Sequence, residues 1–131
     1  MIALDTNVLV RIITRDDARQ ANAAARAMRE DCVFLAKSVI LELEWALRYS
    51  YDFDRQSVNR ALLTLLGLEN AVVEDAANVE DAVRLHAQGM DFADALHVAS
   101  SSNAEAFVTF DQRLAAAGRD RDQSPAIRLL E

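Results

Sequence analysis

The chain has 131 residues, a length that favours a single domain with a sizeable hydrophobic core. Its formal net charge of −7 argues against a nucleic-acid-binding surface of the usual basic kind, unless bound divalent cations return positive charge where a phosphate would sit. The single cysteine excludes an internal disulfide, and neither a secretory signal nor a membrane span is evident, so we expect a soluble cytoplasmic protein.

Apolar residues form two kinds of run along the chain. Short continuous runs predict buried strands, and runs with an apolar residue at every third or fourth position predict helices. In chain order, the pattern predicts a strand over residues 2–4, helices over 6–14 and 16–30, a strand over 33–36, helices over 39–49 and 54–67, a strand over 71–73, helices over 78–88 and 92–101, a strand over 106–110, a helix over 112–117 stopped by Gly118, and a strand over 127–130.

This alternation of strands and helices predicts an α/β fold. A parallel sheet would lie between two layers of helices, in a three-layer α/β/α arrangement. We expect one domain over residues 1–131, because no linker or low-complexity stretch interrupts the chain. In sheets of this kind the functional site lies at the carboxyl ends of the strands.

Two of the predicted strands end directly in an aspartate. Asp5 follows Ile-Ala-Leu, and Asp111 follows Phe-Val-Thr-Phe. Either residue alone is explained by helix capping, because Asp commonly caps a helix that follows a strand. If the two strands are neighbours, however, both carboxylates project from the same edge of the sheet. The pair therefore indicates either two caps or one acidic site.

Further acids lie within apolar helical patterns. Glu42 falls near the inward face of its helix, whereas we expect Glu44 on the solvated side. Asp94 lies in the first turn of a largely apolar helix, three residues after Asp91, which can cap that helix. A carboxylate on an apolar face must be paired, protonated or bound to metal. Stabilisation by the helix dipole is the alternative explanation for Asp91 and Asp94.

Carboxylates that converge without cationic partners repel one another strongly. The chain has one lysine, Lys37, and no pair of His or Cys residues has the spacing of a zinc site. Mg²⁺ and Mn²⁺ prefer oxygen ligands and would remove the repulsion. The sequence therefore predicts an Mg²⁺ or Mn²⁺ site, and its expected ligands are Asp5, Glu42, Asp94 and Asp111.

Four segments carry a resemblance to a known family. They are Leu-Asp-Thr-Asn-Val-Leu-Val-Arg at residues 4–11, Leu-Glu-Leu-Glu-Trp-Ala-Leu-Arg at 41–48, Asp-Phe-Ala-Asp-Ala-Leu-His at 91–97 and Val-Thr-Phe-Asp at 108–111. Each segment alone is unspecific, but the four occur in the family's order and at its spacing over nearly the whole chain. With them the chain resembles the PIN-domain nucleases, and most closely the VapC-type toxins of bacterial toxin–antitoxin pairs.

The resemblance implies a central parallel sheet of about five strands and an Mg²⁺- or Mn²⁺-dependent endoribonuclease. It implies that Asn7 supports Asp5, that Thr109 lies beside the site, and that Asp91 is an outer ligand. It also implies RNA as the substrate, a cognate antitoxin as inhibitor, and a homodimer that can form a dimer of dimers with the antitoxin. The acidic quartet that would hold the metal is Asp5, Glu42, Asp94 and Asp111.

Other Mg²⁺ enzymes also place Asp at strand ends, but they fit the sequence less well. A phosphatase of the haloacid-dehalogenase type needs Asp-x-Asp, and this chain has Asp5-Thr6-Asn7. A phospho-accepting receiver needs a lysine late in the chain, and Lys37 is early. A non-enzymatic module remains an alternative, in which the acidic pocket captures a basic segment of a partner.

Several other residues are expected to be structural. We expect Cys32 to be a buried thiol, His97 to lie in the core or behind the site, and His86 to lie at the surface. We expect Trp45 and Phe92 to pack in the interior rather than to present their rings for base stacking.

Overall fold

A computed structural model of the protein describes residues 1–119 and 125–131. The chain divides into two compact units, residues 1–76 and residues 77–131. Among the described residues no helix is long and apolar enough to cross a membrane.

The first unit consists of a three-stranded parallel sheet and four helices. The strands have the order β1-β2-β3, with Ala3 opposite Phe34 and Phe34 opposite Val72. Helix α1 packs against α2 and α3, and α3 packs against α4. In chain order the elements are β1 (Ile2–Ala3), α1 (Thr6–Thr14), α2 (Ala18–Glu30), β2 (Val33–Leu35), α3 (Lys37–Ser50), α4 (Arg55–Leu66) and β3 (Ala71–Val73).

Local sequence signals set the ends of these helices. Asp17 Oδ1 accepts a hydrogen bond from Gln20 N at 3.0 Å, and Asp54 Oδ1 accepts one from Ser57 N at 2.8 Å. Each bond satisfies a backbone N–H that has no partner within its helix. Helix α1 ends at Thr14, and the following residue, Arg15, has a left-handed φ of 53°. The core between these elements is made by fully buried side chains that include Leu9, Leu35, Ile40, Leu43, Leu47 and Leu62.

The second unit consists of three helices and a two-stranded parallel sheet. Helix α7 packs against both strands, β4 and β5. Gly89, with a φ of 110°, makes the turn between the first two helices of this unit. Val79, Val83 and Phe92 are buried in its core. In chain order the elements are α5 (Ala76–Ala87), α6 (Phe92–Ala99), β4 (Ala106–Thr109), α7 (Gln112–Arg119) and β5 (Ala126–Leu129).

The predicted elements are confirmed, mostly within two residues of the expected bounds, and all strand pairs are parallel as predicted. The single sheet of about five strands is not found, because the described strands form one ladder of three and one of two. Strand β1 is only two residues long and lies at the end of its ladder, and Ile2 within it is 37% exposed rather than buried. The prediction that Gly118 stops α7 is also wrong, because the helix continues to Arg119.

Candidate acidic site

Asp5 lies at the carboxyl end of β1 and caps α1. Its Oδ1 accepts a hydrogen bond from Thr6 N at 2.8 Å, and its side chain is exposed. A carboxylate can accept about four hydrogen bonds or ligand contacts, so capping through Oδ1 does not prevent Oδ2 from binding a cation. The adjacent Thr6 hydroxyl is buried and has no hydrogen-bond partner among the described residues.

That Asn7 supports Asp5 stays a prediction. Within the described part of the chain, the hydrogen-bond partner of the Asp5 carboxylate is Thr6 N rather than the Asn7 amide. Asn7 instead lines a cavity between α1 and α2, together with Val8 and Arg11.

The structure reverses the expected positions of the two glutamates in α3. Glu42 is exposed, whereas Glu44 is 2% exposed. Arg48 pairs with the buried carboxylate, with Nε donating to Oε2 at 2.8 Å and Nη2 to Oε1 at 3.2 Å. The helical spacing contains the signal for this arrangement, because Glu44 shares a face with the buried Ile40 and Leu47.

Three aspartates of the second unit lie near one another. Asp91 caps α6, with its Oδ2 accepting a hydrogen bond from Asp94 N at 3.2 Å. Asp111 caps α7, with its Oδ1 accepting hydrogen bonds from Arg113 N at 2.9 Å and Leu114 N at 3.1 Å. Thr109 lies beside it, since Thr109 Oγ1 accepts a hydrogen bond from Asp111 N at 3.0 Å.

The surroundings of Asp94 change the protonation of its carboxyl group. Its partial burial raises the pKa of its carboxyl group above the ordinary value, and repulsion from Asp91 and Asp111 raises it further. His97, one helical turn away, opposes the rise through its favourable interaction with the carboxylate. The carboxyl end of β4 and the start of α6 therefore form a region of negative potential around Asp94.

The four expected ligands fall two to each unit, with Asp5 and Glu42 in the first and Asp94 and Asp111 in the second. Carboxylate oxygens are the donors that Mg²⁺ and Mn²⁺ prefer, so the donor chemistry fits a hard cation. As the side chains stand, no group of three or more His, Cys, Asp or Glu residues within 1–119 and 125–131 is placed to hold a metal ion. That the four meet at one metal stays a prediction.

Several residues expected to be structural lie elsewhere than predicted. His86 is 3% exposed and meets the ring of Phe92 edge-on at 5.6 Å. His97 is exposed and so does not lie in the core, and its position behind the site stays a prediction. Cys32 is exposed rather than buried, and Trp45 is 54% exposed. Only Phe92, at 1% exposed, packs in the core as expected. Each error concerns which side of an apolar segment faces the interior, and tertiary packing decides that side.

Comparison with protein-family models matches residues 2–120 to the PIN domain. Searches among curated proteins and among solved structures found no match. PIN domains are generally metal-dependent nucleases, and the parallel strands and the seven helices of the described residues are consistent with such a domain. Because the match covers nearly the whole length of the sequence, the chain belongs to the PIN domain family.

Proposed function

We propose that this protein is a divalent-metal-dependent endoribonuclease, the toxin of a toxin–antitoxin pair. The observation that carries the proposal is the crowding of Asp94 with Asp91 and Asp111. Partial burial, and then repulsion from these two carboxylates, raises the pKa of Asp94. No Lys or Arg in the described part of the chain forms an ion pair with Asp5, Glu42, Asp94 or Asp111. Acids left without cationic side chains are suited to bind a cation from solution.

The expected ligands of the metal are Asp5, Glu42, Asp94 and Asp111. Bound by these carboxylates, Mg²⁺ or Mn²⁺ would supply charge neutralisation at the scissile phosphate and make water a better nucleophile. Thr109 would hold Asp111 in place by accepting a hydrogen bond from Asp111 N, and Asp91 would hold Asp94 by accepting one from Asp94 N. Asp94 or Asp111 would orient the attacking water or accept its proton.

A basic inhibitor follows from the same charge distribution. The acidic region would attract a basic segment, and an antitoxin whose Arg or Lys took the place of the metal's charge would inhibit the enzyme. We also propose a homodimer, which would pair with the antitoxin as a dimer of dimers.

The test compares cleavage of a structured RNA by the wild-type protein with cleavage by Asp5→Asn and Asp94→Asn. We expect the wild-type protein to cleave the RNA with Mg²⁺ or Mn²⁺ and not with EDTA. The cleavage rate should fall by at least about a hundredfold in either variant, because each variant lacks one expected metal ligand. Glu80→Gln is the control, since Glu80 is an exposed acid of α5. Wild-type rates in Asp5→Asn or Asp94→Asn would contradict the assigned roles.

The alternative function has a different outcome in the same experiment. If the wild-type protein cuts no RNA with any divalent cation, and an Arg-rich peptide binds in a manner that Asp94→Asn abolishes, the chain is a binding module rather than a nuclease. Isothermal titration calorimetry with Mn²⁺ and with the peptide would measure both affinities.

A further inference from the structure

Helix α3 presents one exposed stripe. Its exposed residues between positions 38 and 49 are Ser38, Glu42, Trp45 and Tyr49, at spacings of four, three and four. These spacings place all four on the same face of a helix. The stripe therefore joins Glu42, an expected metal ligand, to two aromatic rings farther along the helix.

The rings of Trp45 and Tyr49 are large and exposed, and they contact each other. Trp45 is 54% exposed and Tyr49 is 61% exposed. Their centroids are 5.3 Å apart with an interplanar angle of 47°, and the Arg48 guanidinium lies 4.5 Å from the centroid of the Tyr49 ring. Arg48 also forms an ion pair with the buried Glu44, with Nε 2.8 Å from Oε2. The ion pair with the buried carboxylate thus holds the guanidinium of Arg48 against the ring of Tyr49.

We propose that Trp45 and Tyr49 are a base-stacking site for unpaired nucleotides next to the phosphate cut at Glu42. The proposal rests on the nuclease function proposed above and adds the place on α3 where the bases beside the cut phosphate are held. At about 1.5 Å of rise per residue, Trp45 and Tyr49 lie about 4.5 Å and about 10.5 Å from Glu42 along the axis. Those offsets are suited to the nucleotides that follow a phosphate held at Glu42.

A second copy of this chain is the competing occupant of the stripe. A protein surface that covered both rings would also remove water from the carboxylate of Glu42, which is costly without a counter-charge. A base stacked on Trp45 leaves Glu42 hydrated and able to bind a cation, and aromatic rings accept any unpaired base on their faces.

The fluorescence of Trp45 reports stacking directly, because it is the only tryptophan of the chain. The protein is titrated with a single-stranded oligoribonucleotide in Ca²⁺, and gel electrophoresis verifies that the strand stays intact. Two probes of the same length serve as references, an oligonucleotide without bases and the strand annealed to its complement. We expect quenching by the single strand and at least tenfold weaker quenching by either reference.

Variants separate stacking from other uses of the stripe. Trp45→Ala and Tyr49→Ala should each weaken binding of a dye-labelled single strand by about fivefold to a hundredfold, the range expected for one base–aromatic stack. Trp45→Phe, which keeps a ring, should weaken it less. Leu63→Ala is the matched control, since Leu63 is a 55% exposed apolar residue of α4 in the same unit.

Three outcomes would overturn the proposal. They are equal quenching by the base-free strand, unchanged affinity in Trp45→Ala and Tyr49→Ala, and conversion of a dimer to a monomer by Trp45→Ala in analytical ultracentrifugation, which would make the stripe a self-association surface. If stacking fails while wild-type protein still cuts RNA, the nuclease function stands. If stacking is observed but no metal supports cutting, the nuclease function fails instead.

Discussion

Asp94 is a carboxylate whose position works against the stability of the fold. Its folded-state pKa is raised by burial and by Asp91 and Asp111, so the folded protein holds this proton more tightly than the unfolded chain does. The resulting loss of stability is absent below the unfolded-state pKa. The loss of stability grows as the pH rises from the unfolded-state pKa to the folded-state pKa of Asp94, and it is complete at higher pH.

We therefore expect Asp94→Asn to raise the Tm at pH 7 in EDTA, because the variant cannot ionise there. The rise should be about 4 °C for each kcal/mol of repulsion and desolvation that is relieved. It should shrink as the pH is lowered through the titration range of carboxylates. Differential scanning calorimetry between pH 3.5 and 7 measures both effects.

Glu80→Gln is the matched change at an exposed acid, and its Tm should stay close to that of the wild type. A Tm of Asp94→Asn that lies below the wild-type value at pH 7 would show that Asp94 stabilises the fold through interactions other than those described.

For single residues, the sequence identified the acidic side chains of interest better than it predicted whether each one is buried or exposed. The acids of α3 show why. Position 42 and position 44 both lie among apolar residues, and the choice between them depends on which face packs against α1 and α4. The buried Glu44 is tolerated because Arg48 lies one turn later and reaches it. His86 was misplaced for the same reason, since in α5 exposed Arg84 alternates with buried Val83 and Leu85.

Among the elements, the contact between α7 and β5 depends on a glycine within the helix. A Cβ built on Gly118 would lie 2.7 Å from Ile127 Cδ1, 3.1 Å from Cγ1 and 3.2 Å from Cβ. Gly within a helix ordinarily costs about 1 kcal/mol relative to Ala. Here the close approach of the strand opposes that preference, because Ile127 Cβ is fixed to the backbone and would have to move by a few tenths of an ångström even if Cδ1 rotated away.

We expect Gly118→Ala to lower the free energy of unfolding by about 1–3 kcal/mol, the usual effect of overpacking. Urea denaturation monitored by circular dichroism gives the value. The double variant Gly118→Ala with Ile127→Ala should lose less free energy of unfolding than the two single variants lose together. Removing the isoleucine side chain makes room for the new methyl group. Strict additivity of the two changes would contradict the contact.

The order and type of the elements could be predicted from the sequence because each is marked locally. Apolar periodicity, the caps Asp17 and Asp54, and the turn at Gly89 all act within a few residues. Strand pairing depends on distant residues instead. A two-residue β1 and a four-residue β4 carry too few side chains to specify a neighbour, so the division into ladders of three and two strands was beyond sequence reasoning.

For the whole molecule, the net charge of −7 sets how RNA can be bound. The chain has 14 Lys and Arg against 21 Asp and Glu, and Arg11, Lys37 and Arg48 are each engaged with an acid. A usual RNA-binding surface neutralises many phosphates with such side chains and loses affinity steeply as salt rises. Here the attraction for phosphate would come from the bound metal, supplemented by stacking on Trp45 and Tyr49, and stacking does not depend on released counterions.

We accordingly expect RNA affinity to depend weakly on monovalent salt. For single strands, the slope of log affinity against log salt is about −0.7 for each phosphate neutralised by the protein, so contacts to one or two phosphates give a slope between about −0.7 and about −1.4. Fluorescence anisotropy of a labelled single strand, measured from 50 to 400 mM KCl at a fixed saturating concentration of Ca²⁺, gives this slope. Calorimetric titration of Ca²⁺ without RNA over the same range corrects for any effect of salt on metal binding. A slope steeper than about −4 would mean about six phosphates held by Lys and Arg, and RNA binding would then depend on a basic surface rather than on the acidic site.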